Sequence, residues 1–138
     1  MKKIFFGLLT FLVVSIVFTS CGKDDPGDAP TPVTKPDGVW AGTGQYGTAP
    51  GGTQYAFTMT FKGDGTLTIV GDNSTGIDNA TGNWVMVNDT MQATFKYNGS
   101  SAIYMAAAKF ATNATTMSGT IGLQPAVSGV GLFTVNKQ

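Results

Sequence analysis

Between residues 37 and 138, apolar and polar side chains alternate in short runs. Tyr55, Phe57, Met59 and Phe61 interleave with Gln54, Ala56, Thr58 and Thr60, and Met91, Ala93, Phe95 and Tyr97 interleave with Thr90, Gln92, Thr94 and Lys96. Leu67 and Ile69 are flanked by Thr66 and Thr68 in the same way. Successive side chains of a strand point to opposite faces, so this period of two predicts half-buried β-strands. A helix needs apolar residues at i, i+3 and i+4, which these runs do not supply. Glycine, asparagine and aspartate punctuate the runs about every 8–14 residues, as in a sandwich or barrel.

The pattern predicts eight strands: Val39–Tyr46, Thr53–Lys62, Thr66–Val70, Asn83–Val87, Thr90–Tyr97, Ser101–Ala111, Thr115–Ile121 and Gly129–Lys137. Lys62-Gly63-Asp64-Gly65 reads as a tight hairpin, because Asp-Gly readily takes positive φ. Asn88-Asp89 reads as a second short turn. Within Tyr104–Phe110 the run Ala106-Ala107-Ala108-Lys109 is also compatible with a short helix, and strand is the favoured reading. Short strands with hairpin-length links point to an all-β fold, an eight-stranded up-and-down antiparallel barrel, since closing the sheet removes both exposed edges.

The N-terminus follows another pattern. Met1-Lys2-Lys3 is basic, Ile4–Phe18 is nearly all apolar, and Phe18-Thr19-Ser20 leads to Cys21, the one cysteine of the chain. The apolar run is shorter than the roughly 20 residues a spanning helix needs. Residues 1–20 resemble the signal peptide of a bacterial lipoprotein, which implies cleavage before Cys21 and lipidation there; a plain secretory signal or an uncleaved anchor is the alternative. Residues 21–36 carry four prolines and three aspartates and read as a flexible tether, leaving 37–138 as the folded domain. At about 3.1 Å per residue, an extended tether would reach some 50 Å. Lys23-Asp24-Asp25 resembles the Lys-acidic-acidic surface-export signal of lipoproteins in the Bacteroidota. That resemblance implies an outer-membrane, lipid-anchored protein facing the cell surface; an ordinary charged linker on a protein of the periplasmic leaflet is the other reading.

Composition narrows the function. Without residues 1–20 the chain keeps six lysines against eight aspartates, and it has no arginine, glutamate or histidine. No basic face for nucleic acid can be built from that set. One cysteine and no histidine give no zinc site and no intramolecular disulfide. General-base chemistry would fall to Asp37, Asp64, Asp72, Asp78 and Asp89, all in turns or at strand boundaries, so the chain reads as a non-enzyme with no catalytic residue, metal or cofactor. The run Asp72–Asp78 has alternating oxygen side chains, which calcium favours, but it lacks the spacing and the bidentate glutamate of an EF-hand, and a polar hairpin loop explains it equally.

Gly38-Val39-Trp40-Ala41-Gly42 resembles the Gly-x-Trp opening strand of lipocalins and related calycins. Gly82-Asn83-Trp84 repeats the spacing, and Gly131–Val135 is similar to the closing strand of small lipocalin-like lipoproteins. The resemblance spans about residues 37–138 and implies a Trp40 packed across the closed end of a barrel. Tyr55, Phe57, Met59, Phe61, Trp84, Met86, Phe95 and Tyr97 then either line a ligand site or form the packed core. The expected function is non-catalytic binding of a small apolar or glycan ligand; the alternative is a structural or interaction subunit docking an envelope protein, with a filled barrel. Asp89-Thr90-Met91 resembles an O-glycosylation acceptor of exported proteins in the Bacteroidota, which makes Thr90 a candidate modification site. The Asn-x-Ser/Thr triplets at Asn73, Asn79, Asn88, Asn98 and Asn113 read as turn residues.

Overall fold

The computed structural model describes residues 31–138 apart from 73 and 74. The expected signal peptide, the lipidation site Cys21, the export signal Lys23, Asp24 and Asp25 and most of the tether lie outside the described residues, as does the triplet asparagine at position 73. Eight strands are formed: β1 (Gly38–Tyr46), β2 (Gln54–Phe61), β3 (Thr66–Val70), β4 (Ala80–Val87), β5 (Thr90–Tyr97), β6 (Tyr104–Lys109), β7 (Thr116–Leu123) and β8 (Gly131–Lys137). Each pairs antiparallel with the next, and β1 pairs with β8, so the sheet closes into an up-and-down barrel. No helix occurs among the described residues. The alanine-rich run is strand, with Ala106 and Ala108 turned into the core.

The alternation read from the sequence sets the inside and the outside. Phe57, Met59, Phe61, Leu67, Ile69, Met91, Ala93, Phe95, Met117, Phe133 and Val135 are all buried, while the threonines between them face out or sit at the boundary. No polar or charged residue is buried among the described ones, and of the fully buried core side chains only the Trp40 indole N–H needs a hydrogen-bond partner. The strand pairings and the hydrophobic core of the described residues lie within one compact unit, residues 31–138.

An eight-stranded barrel is just wide enough inside for side chains to fill it. Glycines make the largest rings fit. Gly44, Gly82 and Gly119 face inward directly opposite Tyr55, Phe95 and Phe133 in register. A β-carbon on any of the three would collide with that partner. At Gly82 and Gly119 it would also strike the backbone of the neighbouring strand, so these are places where the strands approach too closely for any side chain.

The β2–β3 hairpin is tight, as expected, and Gly65 of the Asp-Gly pair takes positive φ (85°). Lys62 N–H bonds to Thr66 O and Gly65 N–H to Lys62 O, closing a three-residue loop. Asp64 serves as a cap, its carboxylate accepting from both the amide and the hydroxyl of Thr66 at 2.9 and 2.7 Å.

Up-and-down order gathers the C-terminal ends of odd strands and the N-terminal ends of even strands at one end of the barrel, the mouth. The opposite end is closed by Trp40, fully buried, with Phe110 edge-on at 5.9 Å and the Lys137 ammonium 5.9 Å from its ring centre. Its indole N–H donates to Pro36 O at 2.8 Å. The Val33 amide donates to Asn113 Oδ1, and the Asn113 amide donates to Val33 O, each at 2.8 Å. Residues 31–36, expected to belong to a solvated tether, are thus strapped across the closed end, with Pro36 buried.

Candidate functional site

The mouth keeps space that the interior does not. A cup of about 250 Å³ opens there, walled by Tyr46, Tyr55, Tyr97 and Tyr104 together with Ile77 and Asp78. Ile121 and Val130 complete the apolar part of the wall. These four tyrosines are all the tyrosines of the chain. The domain's phenylalanines, at 57, 61, 95, 110 and 133, are all buried in the core instead. The sorting has a physical cause: a phenol needs a partner or water for its hydroxyl, whereas a benzyl side chain can be sealed away.

The tyrosines form a belt. Tyr46 and Tyr55, from adjacent strands β1 and β2, lie 4.6 Å apart with planes tilted by 37°; Tyr97 and Tyr104, from β5 and β6, meet edge-to-face at 5.0 Å. The Tyr55 and Tyr97 hydroxyls act on one another across the barrel, which brings the two pairs together. Beneath them, Phe57 stands edge-on to Tyr55 at 5.9 Å, and Phe95 edge-on to Tyr97 at 5.4 Å, which joins the belt to the core. Tyr55 can lie where it does because Gly44, opposite it, has no β-carbon: one there would fall 2.6 Å from the phenol oxygen.

Burial raises the Tyr97 hydroxyl far above the ordinary tyrosine range. Burial also raises Tyr55, the nearby Tyr97 hydroxyl working against that rise and Tyr46 and the negative charges of Asp72 and Asp78 adding to it. Both phenols therefore stay protonated at neutral pH and act as hydrogen-bonding groups on an apolar wall.

One wall is built by two loops stapled together. Gly99 N–H donates to Ile77 O (2.9 Å), Asn98 N–H to Asn79 O (2.8 Å), and the Asn98 side-chain amide to Gly76 O (3.0 Å). Asn79 Oδ1 accepts from Gly71 N–H at 3.2 Å, and the Asp78 carboxylate packs over Gly71. This wall contains the segment weighed for calcium. Asp72 Oδ2 accepts from Ala56 N–H at 3.3 Å on the β2 side, while Asp78 lines the cup. No group of three or more metal-ligating side chains occurs among the described residues.

Of the eight residues expected to be ligand-lining or core, only Tyr55 and Tyr97 reach the cup. Phe57, Met59, Phe61 and Phe95 are core. Trp84 and Met86 are half-buried against it, and the Trp84 indole N–H donates to Lys62 O (3.0 Å) in a hairpin of the closed end. Sequence reasoning missed Tyr46, Tyr104, Ile77 and Asp78. A signal was available: Tyr46 and Tyr97 end odd strands, and Tyr55 and Tyr104 begin even ones, so up-and-down order places all four at one end.

The remaining candidates lie elsewhere. Thr90 is half-buried in the β4–β5 hairpin at the closed end, its hydroxyl donating to Asp89 Oδ1 at 3.1 Å. Asp89 also pairs with Lys109 (3.1 Å), and Asp37 pairs with Lys35 (3.2 Å). Asn88 and Asn113 hold positive φ of 55° and 60°, as turn asparagines do.

The protein is thus an eight-stranded, closed antiparallel β-barrel with a filled interior, one strapped end and a tyrosine-walled cup at the other. No family model, curated protein or solved structure matches the chain.

Proposed function

We propose that this is a non-catalytic binding protein that takes a small, apolar or glycan ligand in the mouth cup. The observation that carries this is the convergence of all four tyrosines on one open cavity. Aromatic faces with hydroxyls at their tips suit a ring that is part apolar and part hydrogen-bonding. Size limits the ligand: roughly 150 Å³ already accommodates benzene, so the cup fits one substituted ring or a single sugar unit rather than a long acyl chain. The Tyr55 and Tyr97 phenols stay neutral, and most of the described aspartates are engaged in capping or pairing near the strand ends, which supports binding over catalysis.

The lipocalin-like reading is supported by Trp40, which lies buried across the closed end as that resemblance implies. We also propose that the chain is a lipoprotein, held to the outer membrane through Cys21 and displayed at the cell surface. The strap 31–36 enters the barrel at the closed end, opposite the cup.

Native mass spectrometry of residues 22–138, produced in the periplasm without the anchor cysteine, tests the ligand. A retained small molecule, lost on denaturation and absent from Ser100→Trp, supports the reading, since Ser100 lines the cup and the new indole would fill it. A wild-type cup that stays empty against a library of aromatic and sugar fragments overturns it. Protease shaving of whole cells, with Cys21→Ser as the control, tests anchoring and display.

The second reading is a docking subunit for an envelope protein. It is favoured by Ile77, Ile103, Leu123 and Val127, all exposed aliphatic side chains at the mouth end. Substituting Ile103, Leu123 and Val127, none of which lines the cup, by serine would then abolish capture of the partner without altering the cup.

A further inference from the structure

We infer that the mouth cup selects a compact organic cation, a methylated or quaternary ammonium group, over a neutral or anionic ligand of the same shape. This rests on the reading of the cup as the ligand site and narrows it to one chemical class. Three features of the molecule carry it. First, four electron-rich phenol rings wall one small cavity, and their planes differ by 37° in one pair and 76° in the other, so a ligand meets π-systems from more than one direction. A cation within about 6 Å of such ring centres is attracted by their quadrupoles, and sites for quaternary ammonium groups are built this way.

Second, the charged side chain in the wall is a carboxylate, Asp78, and no lysine lines the cup. Asp72 stands close by, on Ala56 N–H, and the charges of both aspartates are felt at Tyr55. Third, among the described residues no lysine side chain enters the cup. Lys35 is in the strap, Lys62 is in the β2–β3 hairpin, Lys109 pairs with Asp89, and Lys137 sits over Trp40, all at the closed end. Lys96 lies in the mouth half, but on β5 it occupies an outward, exposed position. The mouth is therefore the negative end of the barrel. Its volume fits a trimethylammonium head with a short arm, whose methyl groups would also satisfy the apolar wall.

The test is calorimetric and NMR titration of residues 22–138 with choline and with 3,3-dimethylbutan-1-ol, its uncharged carbon isostere. Choline is expected to bind at least about tenfold more tightly, the difference a desolvated cation–π site provides. Asp78→Asn and Tyr97→Leu are each expected to weaken choline several-fold. Asp78→Asn should narrow the preference for choline over the alcohol, which separates loss of charge from loss of shape. Equal or tighter binding of the alcohol would overturn the cation assignment and leave the cup standing as a site for neutral ligands. Failure of both probes at millimolar concentration, with a folded barrel by circular dichroism, would overturn the cation assignment. Failure of the fragment library as well would remove the cup as a ligand site.

Discussion

Gly82→Ala adds one methyl group at a place where the barrel has no room for it. The new carbon would point into the interior 2.6 Å from Phe95 Cα and collide with the Thr94 carbonyl oxygen. Carbon atoms pack favourably at about 3.5 Å or more, so the shortfall is close to 1 Å. Neither obstacle is a side-chain tip that can swing aside; both belong to β5, which is hydrogen-bonded on each side in a closed sheet. Overpacking a core costs about 1–3 kcal/mol, and a backbone obstacle puts this site at the upper end. Replacing glycine by alanine in an element recovers about 0.5–1 kcal/mol, which leaves a net loss near 2 kcal/mol. For a domain of this size that is a fall in Tm of about 10 °C or somewhat more. The assay is urea unfolding followed by tryptophan fluorescence, with an expected midpoint shift of about 1 M. Gly44→Ala is the internal control. Its obstacle is the outer end of the Tyr55 ring, half-buried at the mouth and able to rotate away, so the loss should stay below about 1 kcal/mol while the cup changes shape. Gly82→Ala within about 0.5 kcal/mol of wild type, or equal losses in the two variants, would refute the idea that glycine is needed where the backbone of β5 approaches so closely.

Asn113→Ala removes the acceptor for Val33 N–H and places alanine at a φ of 60°; a loss of about 1–2 kcal/mol is expected, with faster amide hydrogen exchange at Val33 as the check. Phe133→Ala deletes a buried ring that lies 6.0 Å from Phe57 and should cost about 3–5 kcal/mol in chemical denaturation. Tyr55 and Tyr97 carry raised pKa values, so their stabilisation is complete below the ordinary tyrosine value of 10.0 and is lost as pH rises beyond it. Alkaline unfolding should therefore start as pH passes about 10 and be milder in Tyr97→Phe, read from phenolate absorbance beside circular dichroism. At the acid end, bonds from Thr66 hold Asp64 below the ordinary carboxylate value, and bonds from Lys109 and Thr90 do so for Asp89. The small stabilisation from these exposed groups should fade as pH falls below about 4, seen as a slight drop in Tm.

Much of the fold was legible in the alternation. The runs Tyr55–Phe61 and Met91–Tyr97 placed their inward faces correctly, because a strand exposes each side chain to one face only, and β3 and β5 have the bounds the pattern predicted. Boundaries shifted where loops supplied backbone partners, as at β6, which is shorter than the run Ser101–Ala111. The cup was only half legible. Tyr55 and Tyr97 sit at the ends of regular runs, whereas Ile77 and Asp78 reach the mouth through a loop whose shape depends on bonds to Asn98 and Gly99, some twenty residues away.

The amino-acid sequence by itself determined the strands, the face each side chain takes and the up-and-down order, because period-two patterning and turn chemistry are local. It also determined that the tyrosines collect at one end, since connectivity alone brings those strand ends together. Tertiary structure decided the rest. Closure between β1 and β8, the filling of the interior and the survival of a 250 Å³ cup depend on how rings and glycines from distant strands share one volume. Composition reads residues 31–36 as solvated chain, yet Pro36 is buried, because the Trp40 indole N–H inside the closed end needs an acceptor and Pro36 O supplies it.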